Sequence, residues 1–232
     1  MRIYEYELVP HVARYLRNKG YLVFTEKYVG IRRADVIGVL LNEEEVKKRI
    51  EHNTPRIPIR IFLRIMRVLE QRGDMSIKEL AATLGYSTSY IRKVVATANP
   101  IFLVKQRGVI KKVRDYKPYT HEILGVEVKV NDWRNGLVQA DWYLYALHKA
   151  YLAIYEKAYK RIPEKVIEWA QDRGIGILTI SKNGAVEEKV AAKTAGPKSK
   201  SAYYVLAESL WEKVFETLTH SNSNLRMEGE YD

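Results

Sequence analysis

An acid, a cation, an amide and a phenol fall close together between Gly125 and Tyr145, where the chain reads Gly-Val-Glu-Val-Lys-Val-Asn-Asp-Trp-Arg-Asn-Gly-Leu-Val-Gln-Ala-Asp-Trp-Tyr-Leu-Tyr. Val126 to Val130 alternates apolar and charged residues, which predicts a strand with Glu127 and Lys129 on one face. Asn131 to Gly136 is turn chemistry. Beyond it Leu137, Ala140, Leu144 and Leu147 recur at helical spacing, with Gln139 and Tyr143, four apart, on another side of that helix. Far upstream, Arg33-Ala-Asp-Val-Ile-Gly-Val-Leu40 predicts a second strand whose one acid is Asp35, and a buried strand seldom carries an unpaired acid without a reason. These residue types suit metal-assisted hydrolysis of a phosphodiester. Asp35, Glu127 and the Val128 carbonyl can hold a hard cation, and Lys129 can orient the attacking water or offset charge in the transition state.

A Glu-x-Lys tripeptide alone says little, and the chain repeats it at Glu45-Val46-Lys47, inside a stretch from Asn42 to Glu51 that predicts a solvated helix. The copy at 127–129 differs in context, having an acid-bearing strand before it and Gln-x-x-x-Tyr on the helix after it. In these residues the chain resembles the PD-(D/E)xK nuclease superfamily, in its exonuclease-type branch, over roughly residues 4–40 and 120–190. The resemblance implies an α/β fold, a restriction-endonuclease-like mixed sheet flanked by helices, with Mg²⁺ or Mn²⁺ as cofactor. It also implies that Gln139 steadies the water or Lys129, and that Tyr143 hydrogen-bonds the phosphate or braces its helix. The first helix of the family often adds an acid to the metal site, for which Glu7 is the candidate and Glu5 the next. Two features depart from the family pattern. Ala34 stands where a Pro often precedes the acid, and 92 positions separate Asp35 from Glu127, so a segment has been inserted between the two strands.

The elements that must position these residues are legible in part. Glu7 to Lys19 predicts a helix ended by Gly20, followed by strands over Tyr21 to Thr25 and Arg33 to Leu41. Past the central stretch come a strand over Tyr151 to Tyr155, a helix over Pro163 to Asp172, and strands over Gly174 to Ser181 and Val186 to Val190, joined by the hairpin signal Asn183-Gly184. A loop over Ala191 to Ser201 leads to an amphipathic helix over Tyr203 to Leu218 and a disordered tail over 221–232. The insertion, 54–118, has its own order: a helix over Ile59 to Gln71, a helix over Ser76 to Leu84 with a Ser-x-x-Glu capping box, and a helix capped by Ser87 that runs to about Ala98. Strands over Ile101 to Lys105 and Val109 to Arg114 follow. This is the order of a winged helix-turn-helix, whose third helix enters the DNA major groove.

Charge points the same way. Residues 54–118 hold fourteen Lys and Arg against four Asp and Glu, almost the whole of the chain's net +11, and phosphate contacts supply most non-specific DNA affinity. Arg92 and Lys93 on the third helix and Lys105, Arg107, Lys111 and Lys112 on the wing are the expected DNA contacts. Ser87, Thr88, Ser89 and Tyr90 are expected to meet phosphates or base edges. The expectation is therefore a Mg²⁺-dependent DNA endonuclease docked by its inserted domain, with homodimerisation open. The alternative is a DNA-binding regulator whose nuclease-like core is only a scaffold. The 232 residues include no cysteine and are 47% hydrophobic, enough for a core and incompatible with thiolate metal sites. No apolar run approaches the ~20 residues needed to span a bilayer, and the N-terminal acids do not suit a secretory signal, so the expected location is cytoplasmic. The high charge content and absence of Cys lean towards a thermophile.

Overall fold

In chain order the elements are α1 (Glu5–Asn18), β1 (Leu22–Val29), β2 (Arg32–Leu41), α2 (Glu43–Glu51), α3 (Ile59–Arg72), β3 (Met75–Ser76), α4 (Ile77–Leu84), α5 (Thr88–Ala98), β4 (Leu103–Gln106), β5 (Val109–Lys112), β6 (Thr120–Lys129), α6 (Trp133–Tyr143), β7 (Lys149–Tyr155), α7 (Glu156–Tyr159), α8 (Glu164–Arg173), β8 (Ile175–Ile180), β9 (Val186–Val190) and α9 (Lys200–Met227). The structure is a computed structural model and describes residues 3–227, with side chains as far as Thr219. The chain divides into two units. The first comprises the chain up to Leu41 with Thr120–Leu206, and the second comprises Asn42–Tyr119 with the chain from Ala207 onward.

The first unit is α/β, with a mixed six-stranded sheet in the order β1-β2-β6-β7-β8-β9. The inner strands β6, β7 and β8 are parallel, while β1, β2 and β9 pair antiparallel at the flanks. Parallel strands are covered on both faces, and every residue of β8 is accordingly buried. On one face, Val126 and Val128 pack with Leu8, Val12 and Leu16 of α1 and with Tyr151, Ala153, Leu178 and Ile180. The alternate residues Gly125, Glu127 and Lys129 face the other way, towards α6. Two glycines let α6 lie close there. A Cβ on Gly125 would come 2.5 Å from Leu147 Cδ1 and 3.2 Å from Tyr143 Cδ2, and one on Gly136 would come 2.5 Å from Leu152 Cδ1 and 3.0 Å from Lys129 Cγ.

In the second unit the apolar side of α3 (Ile61, Phe62, Ile65, Leu69) is buried, and so are Leu80 and Leu84 of α4 and Ile91, Val94 and Val95 of α5. Ser76 and Glu79 form the expected capping box on α4, Gly85 ends that helix in a left-handed conformation, and Ser87 Oγ accepts from Tyr90 N–H at 3.3 Å to cap α5. The β4–β5 hairpin turns through Arg107 and Gly108, both at positive φ, and a short sheet forms in the order β3-β5-β4.

Three sequence expectations change here. Residues 42–53 and 207–220, expected in the core over 1–53 and 119–220, belong to the second unit, and α2 is not a solvated helix: Glu45 and Arg49 are buried. Arg114 pairs with Glu45 at 2.6 and 2.7 Å, and Arg49 pairs with Glu208, which also accepts from Ile57 N–H at 2.8 Å and from Tyr116 Oη at 2.6 Å. The partners lie far along the chain, so the local pattern of α2 could not show them. Trp211 Nε1 donates to the Thr54 carbonyl at 2.8 Å, which ties the later part of α9 into the same unit. The backbone of α9 continues helical to Met227, past the expected end at Leu218, so the expected tail begins within a helix, and 228–232 lie outside the described residues. Among the described residues no helix is long and apolar enough to cross a membrane.

Candidate functional site

The antiparallel register of β2 on β6 places Val36 opposite Val126, and one step further along the same register sets Asp35 opposite Glu127. Directly opposed residues point to the same face of a sheet. Asp35 Oδ2 accepts from Val128 N–H at 2.7 Å, while its Oδ1 makes no hydrogen bond among the described residues. Glu127 is buried. One of its oxygens takes an ion pair from Lys129 Nζ at 2.6 Å, and Tyr143 Oη donates to the other. The acid on one strand and the Glu-x-Lys on the next are thus brought together, although 92 positions of chain separate them.

The electrostatics follow from burial and crowding. Burial, and then the negative charge of Glu127, raise the Asp35 carboxyl from 3.8 to about 6, against the opposing influence of Val128 N–H and Lys129. Burial opposes the Lys129 ammonium, but the hydrogen bond and charge of Glu127, aided by Glu5 and Asp35, outweigh it and raise Lys129 above its ordinary value. Burial and then Glu127 push the Tyr143 phenol far up, so it stays a neutral donor.

Several predicted residues occupy other roles than expected. Glu7 does not join the cluster. Its Oε2 accepts from Tyr4 N–H at 2.7 Å, closing the N-terminus of its own helix. It is committed to the terminus of α1, the helix that packs over Val126 and Val128. Glu5 does reach the cluster, lying 3.5 Å from Lys129 Nζ. Tyr143 is only 1% exposed, so it braces Glu127 and is not placed to meet a phosphate. Its hydroxyl lies between Glu127 and the Arg33 carbonyl, 3.1 Å from the latter. Gln139 stands one turn earlier on α6, between Gly136, which faces Lys129, and Tyr143. Its Oε1 is buried with no hydrogen-bond partner among the described residues. Val128 enters through its N–H, where its carbonyl was expected. Sequence reasoning read Gly136 as the end of a turn, whereas it lies inside α6, where a glycine normally costs stability and here gives room for Lys129.

Two carboxylates that crowd each other, one with an uncommitted oxygen, fit a hard divalent cation, since oxygen donors and negative charge are what Mg²⁺ and Mn²⁺ select. Asp35 and Glu127 are the residues that would hold it. Among the described residues, no group of three or more His, Asp or Glu side chains gathers to form a larger ligand set.

In the second unit the predicted DNA contacts divide into two sets. Ser89, Tyr90, Arg92, Lys93, Lys105 and Arg107 are exposed, Thr88 is half-exposed, and Ser87 is occupied as the cap of α5, with its Oγ 3.1 Å from Ser89 Oγ. Lys111 and Lys112 are not bare charges. Lys111 pairs with Asp74 at 3.1 Å, and Lys112 pairs with Glu70 at 3.3 Å and Asp115 at 2.6 Å.

No protein-family model and no curated protein matches the chain. Among solved structures it is similar to SPO1766, a protein of unknown function from Silicibacter pomeroyi, at 12% identity and a TM-score of 0.44 over 100% of each chain. A likeness of that degree carries no argument about fold or activity.

Proposed function

We propose that the chain is a divalent-metal-dependent DNA endonuclease of PD-(D/E)xK type, docked on DNA by a winged helix-turn-helix formed by α3, α4, α5 and the β4–β5 hairpin. The observation that carries the reading is the convergence of Asp35, Glu127 and Lys129 on one face of two neighbouring strands, with Tyr143 fixing Glu127. A cation held by Asp35 and Glu127 supplies Lewis-acid polarisation of the phosphodiester and a more acidic water. Lys129 holds its proton because Glu127 stabilises the ammonium, so it acts as a fixed positive charge and donor towards a nearby water or a phosphate oxygen. Asp35, poised at about pH 6, is a carboxylate under neutral conditions and can accept a hydrogen bond through Oδ1. Tyr143 and Gly136 act by position, the first on Glu127 and the second by letting α6 approach Lys129. The order of α3 to β5, the caps on α4 and α5, and the exposed cations on α5 and the hairpin support the docking role.

One observation favours the second reading, a DNA-binding regulator with a nuclease-like scaffold. Both oxygens of Glu127 are already engaged, by Lys129 and by Tyr143. The two readings separate on incubation of supercoiled and linear DNA with the protein in Mg²⁺, Mn²⁺ or EDTA. Cleavage in either metal that stops in EDTA is expected, and DNA binding without cleavage in both metals would leave the scaffold reading.

A further inference from the structure

The second unit carries a row of cations that no acid among the described residues neutralises. Arg60, Arg64 and Arg67 are exposed on α3 at spacings of four and three, so they line one side of the helix. Among the described residues no Asp or Glu is within ion-pair distance of any of them. Four acids of this unit are committed to other cations: Asp74, Glu70 and Asp115 hold Lys111 and Lys112, and Glu45 holds Arg114. Two of the hairpin's cations are therefore compensated, and Glu70, the acid on α3, is taken by Lys112 and not by the arginine row.

Arg64 fixes what lies beside the row. Its guanidinium is 5.5 Å from the ring centre of Tyr86, and its Nη1 donates to Tyr86 Oη at 3.1 Å. Tyr86 sits in the turn between α4 and α5, and its ring centre is 5.5 Å from that of Tyr90, with the planes tilted by 43°. Both rings are open to solvent, at 40% and 39% exposure. Lys93 follows Tyr90 by three residues, one turn along α5, and is exposed.

A bare arginine row fits the phosphates of any nucleic acid, but two open tyrosine rings beside it do not fit an intact duplex, whose base faces are already covered by their neighbours. An unpaired strand offers both surfaces, phosphates for cations and base faces for aromatic rings, and stacking of bases on such rings tolerates any sequence. We infer that the face of α3 and α5 bearing Arg60, Arg64, Arg67, Tyr86, Tyr90 and Lys93 binds single-stranded nucleic acid, with phosphates along the arginines and bases on the tyrosine pair. The inference rests on the proposed DNA-directed function and narrows its substrate to one with an unpaired segment.

The test uses the full chain in EDTA, so binding is read without cleavage, by fluorescence anisotropy of a labelled oligothymidine of about 16 nucleotides and of a duplex of equal length. The single strand is expected to bind at least about 10-fold more tightly than the duplex. Tyr86→Ala with Tyr90→Ala is expected to weaken the single strand by about 10-fold or more and the duplex by less than about 2-fold, whereas Tyr86→Phe with Tyr90→Phe, which keeps both rings, retains single-strand affinity. Neutralising Arg60, Arg64 and Arg67 to Gln is expected to flatten the salt dependence of single-strand binding by about 0.7 per contact, near 2 in total. Equal affinity for both DNAs, or undiminished single-strand binding by the folded alanine pair, would overturn the inference. Cleavage by the wild type in Mg²⁺ is scored separately, so a failed nuclease reading with intact single-strand binding is distinguishable from the reverse.

Discussion

Removing the charge of Asp35 while keeping its hydrogen bond is expected to stabilise the protein at neutral pH. Asp35→Asn retains an oxygen that can accept from Val128 N–H and loses the carboxylate opposite Glu127. Burial and the Glu127 charge raise this carboxyl from 3.8 to about 6, so the folded chain holds the proton more tightly than the unfolded chain does. The stability it contributes is full below pH 3.8 and is lost as pH rises through about 6. A shift of about two units corresponds to about 3 kcal/mol, which partial solvent screening reduces to about 1–2 kcal/mol. Urea unfolding in EDTA, followed by tryptophan fluorescence, should therefore find Asp35→Asn more stable than the parent by that amount at about pH 8 and no more stable at about pH 3. Saturating Mg²⁺ should reverse the order, since a cation that binds only the folded parent adds about 2.7 kcal/mol at a concentration 100 times its Kd. A variant less stable at pH 8 in EDTA, or equally advantaged at both pH values, would refute the argument that like-charge crowding strains this site.

Arg49→Ala is expected to destabilise the second unit by about 3–5 kcal/mol, because Glu208 would be left charged and buried; a loss of unfolding free energy below about 1 kcal/mol in urea titration would argue against it. Gly125→Ala forces a methyl group against Leu147 and Tyr143, and is expected to cost about 1–3 kcal/mol and to slow cleavage by displacing the phenol from Glu127, read by thermal melting beside a nicking assay. Neutralising Arg92, Lys93, Lys105 and Arg107 together should flatten the log–log salt dependence of duplex binding by up to about 3–4 units. Neutralising Lys111 and Lys112, which are already paired, should change it by less than about 0.5.

Where an arrangement depends on local spacing, the sequence discloses it. Glu127 and Lys129 two apart on a strand, Gln139 and Tyr143 four apart on a helix, and Ser76 three before Glu79 all lie where their periodicity set them. What depended on pairing across long stretches of chain was not legible. The register that sets Asp35 against Glu127 is a property of β2 on β6. By spacing Glu7 is the candidate and Glu5 the next, and only the folded chain shows that Glu7 closes its own helix while Glu5 approaches Lys129. For the same reason α2 read as solvated, since the groups that bury Glu45 and Arg49 are Arg114 and Glu208. A count of charges likewise could not distinguish Lys111 and Lys112, held by acids, from Arg60, Arg64 and Arg67, which are not.

Whether Asp35, Glu127 and Lys129 perform phosphodiester hydrolysis is decided by the cleavage rate of labelled DNA in Mg²⁺ for the wild type beside Glu127→Gln, with DNA affinity measured in EDTA on both. The substitution keeps the size of the side chain and its partner Tyr143 while removing the charge read by both a cation and Lys129. Cleavage is expected to fall by about 10²–10³-fold or more, with affinity unchanged within about 3-fold. Wild-type cleavage by a folded Glu127→Gln protein would contradict it.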